Sequence, residues 1–169
     1  MKLEADSLGH ARSLLFVPGN RADLFDRAVR SGADAVVIDL EDAVAQDRKT
    51  AAREAARAWL DRGGSAIVRV NPQETEGFSA DISAVGRLAT AIMLPKCEDP
   101  GDVERVRAEA RHPVPVIPLV ETAAGLVNVE TLCRAEGWCA RRWGTSTWPR
   151  SWVWRPMTMR RCCIRAPVW

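Results

Sequence analysis

Five short apolar runs recur along the chain, and each of them ends in polar or charged residues. The second run, Ala35–Ile38, is apolar at every position rather than at alternate positions. Such a run is typical of a strand that is buried on both faces, as in a parallel sheet. We therefore predict five strands, which lie within residues 13–20, 35–40, 66–71, 91–96 and 114–121.

Segments with the apolar spacing of helices separate the five runs. Residues that commonly cap helices stand at three of the expected helix starts, namely Asn20, Asp99 and Thr122. Regular alternation of strands and helices predicts an α/β fold, with a parallel sheet and helices packed outside it. A (β/α)₈ barrel and an open doubly wound sheet both fit, although the first strand–helix turn lacks the glycine pattern of dinucleotide-binding folds.

Charged and amide side chains follow every one of the five predicted strands. They are Asn20 and Arg21, then Asp39, Glu41 and Asp42, then Arg69 and Asn71, then Lys96, and finally Glu121. The carboxyl ends of the strands in a barrel meet at one face, where the active sites of that fold lie. Each residue alone is ordinary for a solvated loop, but their recurrence at five consecutive strand ends predicts a functional site.

The types of residue at this face limit the chemistry. Neither histidine, His10 or His112, follows a predicted strand, which disfavours a histidine acid–base group or a histidine-bound metal. Carboxylate oxygens suit Mg²⁺ or Mn²⁺. An arginine beside them suits a two-pronged grip on a substrate carboxylate.

The overall composition is that of one globular domain, with 169 residues, 47% hydrophobic and 27% charged. No apolar run reaches the length of about 18 residues that spans a bilayer, so we expect no membrane association. The five cysteines include no C-x-x-C pair. This pattern disfavours a zinc site or a disulfide framework, and we expect a cytoplasmic protein.

The charge is divided unevenly along the chain. Residues 1–137 contain 17 basic and 22 acidic residues, whereas residues 138–169 contain seven basic and no acidic ones. The second segment also holds six of the seven tryptophans and no leucine. We therefore divide the chain into a domain of residues 1–137 and an aberrant tail of residues 138–169.

Five motifs in order make the chain resemble a known family. RSLLFVPGN, DLEDAV, RVN, PK and ETAAG, which begin at Arg12, Asp39, Arg69, Pro95 and Glu121, are similar to those of the citrate lyase β-subunit-like proteins. This family lies within the HpcH/HpaI aldolase superfamily. The resemblance implies a (β/α)₈ TIM barrel, of which this chain holds about the first five βα units before an irregular Arg/Trp-rich tail.

The resemblance also implies an activity. Family members are Mg²⁺-dependent carbon–carbon lyases, which cleave a citryl, malyl or citramalyl thioester into an oxo acid and an acetyl-type thioester. The thioester is carried on coenzyme A or an acyl carrier protein. Full-length relatives are expected to be homo-oligomers, and neither a membrane nor nucleic acid is an expected partner.

The same resemblance implies roles for five residues. Glu121 corresponds to a metal ligand, and Arg69 to the residue that binds the carboxylate and carbonyl oxygen of the oxo acid. Asp39 and Asp42 correspond to residues that orient Arg69 and the waters of the metal. Lys96 is a further candidate for substrate binding.

The second metal ligand of the family, an Asp in a Gly-x-x-Asp-Leu pattern, is missing from this sequence. We expect its place near Thr147, because a one-base shift of reading frame permits Leu-Gly-Asn-Val-Asp-Leu from the codons of Trp143 to Trp148. We therefore interpret the tail after Gly137 as frameshifted and the chain as C-terminally truncated. Such a chain is expected to be inactive.

Two other functions remain open at this stage. Lys96, an amine at a strand end, permits a class I aldolase that forms a Schiff base with an oxo acid. The basic tail permits a non-catalytic chain that binds a partner, nucleic acid included, through its arginine and tryptophan side chains.

Overall fold

The structure, a computed structural model, describes Leu8 and residues 10–134. These residues form one parallel sheet in which the strands lie side by side in chain order. The five strands are β1 (Leu14–Pro18), β2 (Ala35–Asp39), β3 (Ile67–Arg69), β4 (Ala91–Leu94) and β5 (Val116–Pro118). The predicted tail of residues 138–169 lies outside the described residues, and so does the predicted boundary at Gly137.

Helices follow the strands as the alternation predicts. They are α1 (Phe25–Val29), α2 (Lys49–Asp61), α3 (Gly77–Val85), α4 (Pro100–Ala110), α5 (Ala123–Val127) and α6 (Val129–Arg134). Within the described part of the chain, no helix has both the length and the apolar character that crossing a membrane requires.

The two faces of the sheet carry separate hydrophobic clusters, as successive residues of a strand point to opposite sides. Val36 and Ile38 join the larger cluster, which includes the buried residues of the helices. Ala35 and Val37 join a smaller cluster on the other face. All five residues of β2 are buried, which confirms the inference of a strand covered on both faces.

The described residues leave the sheet open. Among them, β1 pairs only with β2 and β5 pairs only with β4. The α/β class and the five parallel βα units are thus confirmed, and the described residues do not close a barrel.

Two of the three predicted helix caps are present and one is wrong. Asp99 Oδ1 accepts from the Gly101 amide at 2.7 Å, and Thr122 Oγ1 accepts from the Gly125 amide at 3.1 Å. Asn20 makes no such bond, because a 3₁₀ turn (Ala22–Leu24) precedes α1 and Arg21 occupies the position before that turn.

Candidate functional site

The end of β2 is shaped by the side chain of its last residue, Asp39. Asp39 Oδ1 accepts from the Glu41 amide at 2.8 Å, and Oδ2 accepts from the Ala43 amide at 3.1 Å. Asp39 is only 1% exposed. Its carboxylate therefore turns the chain directly after the strand and fixes the segment that carries Glu41 and Asp42.

Arg69 ends the neighbouring strand and lies beside Asp39 in the register of the sheet. Arg69 Nε donates to Asp39 Oδ1 at 2.8 Å, and Nη2 donates to Asp39 Oδ2 at 2.6 Å. Burial by itself lowers the pKa of Arg69, but the hydrogen bond and charge of Asp39 outweigh it and raise that pKa. The guanidinium is thus a fixed cation, held along its Nε–Nη2 edge.

Phe16, on β1, supports one face of the same guanidinium. The central carbon of the Arg69 guanidinium lies 5.3 Å from the centroid of the Phe16 ring. This distance is within the range of a cation–π contact. With one edge on Asp39 and one face on Phe16, the Nη1–Nη2 end of Arg69 is the part left to meet a ligand.

Glu41 lies next to that end and is 4% exposed. Glu41 Oε2 lies 3.1 Å from Arg69 Nη1, and Oε1 lies 3.6 Å from Lys96 Nζ. Neither oxygen has a well-directed hydrogen bond within the described part of the chain, so these ion pairs act by charge alone. Burial raises the pKa of Glu41 from 4.5 to about 7. The positive charge of Arg69 lowers this pKa, whereas the negative charges of Asp42 and Glu121 raise it further.

The other three predicted site residues lie at the rim. The Asp42 side chain is 77% exposed and lies 3.8 Å from Arg69 Nη1. Glu121 is exposed, and its Oε1 accepts from the Lys96 amide at 3.1 Å. Lys96 has a left-handed backbone, with φ of 52°, which places its amide toward Glu121 while its ammonium faces Glu41. The structure therefore brings Asp39, Asp42, Arg69, Lys96 and Glu121 to one face.

Glu41 was among the charged residues at the strand ends, but the sequence analysis gave it no individual role. The motif gave Asp39 and Asp42 roles, and Glu41 between them looked like another solvated loop acid. No alternation of the strand could place it, because β2 ends at Asp39 and the chain turns directly afterwards.

The donor set partly fits a hard divalent cation. Within residues 8 and 10–134, no group of three His, Cys, Asp or Glu residues is arranged to hold a metal. Glu41, however, offers two buried carboxylate oxygens without hydrogen-bond partners, and Glu121 offers exposed ones nearby. Such oxygens are the ligands that Mg²⁺ prefers. The expected position of the second ligand, near Thr147, lies outside the described residues.

Comparison with known proteins gives relatives for most of the chain. The (3S)-malyl-CoA thioesterase of Cereibacter sphaeroides is 38% identical over 122 residues, which are 69% of this chain and 42% of that protein. The L-malyl-CoA/beta-methylmalyl-CoA lyase of the same species is 37% identical over 142 residues, 73% of this chain and 44% of that protein. This chain thus spans less than half the length of these relatives.

A solved structure has a similar fold. It is the protein CitE from Mycobacterium tuberculosis in complex with magnesium and pyruvate, with 36% sequence identity and a TM-score of 0.66. The match covers 77% of this chain and 53% of that one. The open sheet described above therefore corresponds to part of a larger fold of the TIM-barrel type.

The model of one protein family matches residues 12–140, about three-quarters of the chain. These residues include all five motifs and every described side chain of the site. The chain therefore belongs to the HpcH/HpaI aldolase/citrate lyase family.

Proposed function

We propose that this chain carries the oxo-acid site of a magnesium-dependent carbon–carbon lyase of the citrate lyase β or malyl-CoA lyase type. The enzyme would cleave a 3-hydroxyacyl thioester, such as malyl- or citramalyl-coenzyme A, into an oxo acid and an acetyl-type thioester. The observation that carries this proposal is the Arg69 guanidinium, which Asp39 holds along its Nε–Nη2 edge and Phe16 holds on one face.

The geometry of Arg69 suits an oxo acid. Its Nε–Nη2 edge is occupied by Asp39. Glu41 Oε2 lies 3.1 Å from Nη1 but makes no well-directed hydrogen bond to it, so that Nη1 and Nη2 each retain an N–H for a carboxylate or carbonyl oxygen. Since Asp39 fixes the plane of the group, a ligand at the free end meets donors in a set direction. Partial burial strengthens such charge-assisted hydrogen bonds.

The charge balance of the site suits a divalent cation together with an anion. Four carboxylates, of Asp39, Glu41, Asp42 and Glu121, surround two cations, Arg69 and Lys96. Mg²⁺ would be held by Glu121, with Mn²⁺ as an alternative of the same hard character. When bound, such an ion acts as a Lewis acid that stabilises negative charge on the substrate oxygen.

Arg69 and Lys96 would act on the same negative charge of the substrate. Arg69 binds the carboxylate and the carbonyl oxygen that forms as the carbon–carbon bond breaks. Because Asp39 and Phe16 hold the Arg69 guanidinium in place, little reorganisation opposes this stabilisation. Lys96 adds a second positive charge at the rim, where the anionic substrate enters.

Binding of an oxo acid tests the first part of the proposal. Isothermal titration calorimetry with pyruvate and magnesium chloride should show saturable binding to the wild-type chain. Arg69→Lys should weaken it roughly ten- to a hundred-fold, as expected for loss of a hydrogen bond between charged groups. Arg57→Lys, an exposed change on α2, is the control and should leave the affinity unchanged. Equal affinity of the Arg69→Lys variant would refute the role of Arg69.

Turnover tests the second part. Residues 138–169 contain no acidic residue, and a single carboxylate binds Mg²⁺ weakly. We therefore expect the 169-residue chain to show no lyase activity on malyl-coenzyme A. A one-base insertion near the Gly137 codon should place Asp at Thr147 and restore magnesium-dependent activity, which Glu121→Ala should abolish. Turnover by the 169-residue chain, or an immediate stop codon in the repaired frame, would contradict this expectation.

The Schiff-base alternative is tested in the same preparation. Borohydride added with pyruvate would trap a covalent adduct on Lys96 only if Lys96 acts as a nucleophile. We expect no such adduct. Binding through the basic tail remains a prediction, and a steep salt dependence of the affinity for nucleic acid would support it.

A further inference from the structure

Lys49 lies behind the site, at the first turn of α2, and donates three hydrogen bonds. Its Nζ lies 2.9 Å from Leu40 O, 2.8 Å from Glu41 O and 2.6 Å from Asn71 Oδ1. An ammonium group has three donors, so these three neutral oxygens use all of them. Lys49 therefore binds the backbone on which the Glu41 side chain is mounted.

The same backbone segment is held from its other side by Asp39. The Asp39 carboxylate accepts from the amides of Glu41 and Ala43, whereas Lys49 binds the carbonyl oxygens of Leu40 and Glu41. Opposite charges thus fix the donors and the acceptors of the Leu40–Ala43 segment. This segment carries the buried Glu41 side chain, whose Oε2 lies 3.1 Å from Arg69 Nη1.

Lys49 is itself anchored by a buried polar network. Asn71 donates to Asp81 Oδ2 from its amide at 2.9 Å and from Nδ2 at 2.6 Å, while Arg53 Nε donates to Asp81 Oδ1 at 2.7 Å. Asn71 is 2% exposed and Asp81 is fully buried. Buried, fully bonded polar groups of this kind are rigid. The two bonds of Asn71 to Asp81 on α3 therefore fix the oxygen that binds the Lys49 ammonium.

We propose that Lys49 is a positioning residue, which places the Glu41 carboxylate at the oxo-acid end of Arg69 by holding the Leu40 and Glu41 carbonyl oxygens. The inference rests on the function proposed above, since it assigns Lys49 to the substrate side of the same site. Lys49 acts through Glu41 and the backbone, and it does not touch the ligand.

Hydrogen exchange in the ligand-free chain tests the placement directly. Lys49→Met keeps the aliphatic stem and removes all three donors. The amides of Glu41 and Ala43 should then exchange at least roughly tenfold faster, which corresponds to the free energy of about one hydrogen bond. Arg53→Met is the matched control, because it removes a cation from the same helix and network at Asp81. It should lower the melting temperature, because Asp81 Oδ1 loses its partner. It should leave the two exchange rates within about twofold of wild type, because Asn71, which binds the Lys49 ammonium, keeps both of its bonds to Asp81 Oδ2.

Ligand binding gives the second readout. Lys49→Met should weaken magnesium-dependent pyruvate binding roughly tenfold, by the same reasoning, while Arg53→Met leaves the affinity of the folded protein unchanged. A purely structural role would lower the stability of both variants without this difference in affinity. If Lys49→Met does not fold, Lys49→Gln takes its place, because its side-chain amide keeps two of the three N–H donors without the charge. The exchange rates of Glu41 and Ala43 should then exceed those of wild type and of Arg53→Met, and stay below that of an unprotected amide.

The outcomes separate this inference from the proposed function. Unchanged exchange at Glu41 and Ala43 in the Lys49 variant, or equal acceleration in the Arg53 variant, would overturn the positioning role. Failure of the wild-type chain to bind pyruvate would overturn the proposed function instead. In that case the exchange rates still decide whether Lys49 places Glu41.

Discussion

Removal of the Asp39 carboxylate is the sharpest test of how this site is held together. Asp39 is 1% exposed and makes two hydrogen bonds to Arg69 and two to backbone amides. Asp39→Ala leaves a guanidinium that is 5% exposed without its main partner. The backbone turn after β2 loses both of its acceptors as well.

The expected loss of stability is large. Removing one partner of a buried ion pair costs about 3–5 kcal/mol, because the other charge remains desolvated. Glu41 offsets part of this cost, since its Oε2 lies 3.1 Å from Arg69 Nη1, so we expect a loss near 3 kcal/mol. That is a substantial share of the total stability of about 5–15 kcal/mol of a typical domain.

Urea denaturation followed by circular dichroism measures this loss. Asp34→Ala is the control, because Asp34 accepts three hydrogen bonds from Arg12 and Ser13 at an exposed position, whereas Asp39 accepts four at a buried one. The control should lose much less. The double variant Asp39→Ala/Arg69→Met should be less destabilised than the single variant Asp39→Ala, since it no longer leaves a buried cation. A loss below about 1 kcal/mol for Asp39→Ala, no more than one ordinary hydrogen bond, would refute the reasoning.

Two further changes test features near the site. Glu41 has a pKa raised from 4.5 to about 7 by burial, so its stabilising contribution is complete below pH 4.5 and is lost as the pH rises through 7. Glu41→Gln should therefore flatten the fall in melting temperature between pH 4.5 and 7. Glu54→Gln, at an exposed position, is the control and should leave that fall as it is. A fall that is unchanged in Glu41→Gln would contradict the raised pKa of Glu41. Gly125→Ala places a Cβ 2.5 Å from the Cys97 carbonyl oxygen and should cost about 1–3 kcal/mol in urea denaturation, while Ala124→Ser, which is exposed, should be neutral; equal stability of the two would show that the backbone yields.

The apolar pattern of the sequence predicted the strands well but not their ends. Ala35–Ile38 proved to lie in the fully buried strand β2, as a run without polar positions indicates. The fifth strand was predicted within residues 114–121, yet β5 spans only Val116–Pro118. Hydrophobicity reports burial, whereas the extent of a strand depends on its hydrogen bonds, and these depend on the neighbouring strand.

The site was predictable only where a residue type carries a direct chemical meaning. Arg69 and Asp39 were found because charged residues recur at the strand ends and because the RVN and DLEDAV motifs resemble those of a known family. Lys49 was not found, because its partners are two backbone carbonyls and an amide, which leave no mark in the sequence. Glu41 was not singled out, since its burial results from packing against residues far away in the chain.

The open edges of the sheet have a property that governs how any further strand can join it. Ser13 O and the Gly19 amide bond to β2, and the Pro115 carbonyl and the Leu119 amide bond to β4. Alternate residues therefore face outward, so that Pro18 points away from β2 on one edge and Pro118 points away from β4 on the other.

Proline has no N–H, and each edge thus lacks a donor at its carboxyl end. A strand that lies alongside either edge, from this chain or from another copy, meets a carbonyl acceptor but no amide donor at Pro18 or Pro118. Uncontrolled edge-to-edge association is weakened in this way. The end of the sheet that carries Arg69, Lys96 and Glu121 is thus the end at which an added strand lacks this hydrogen bond.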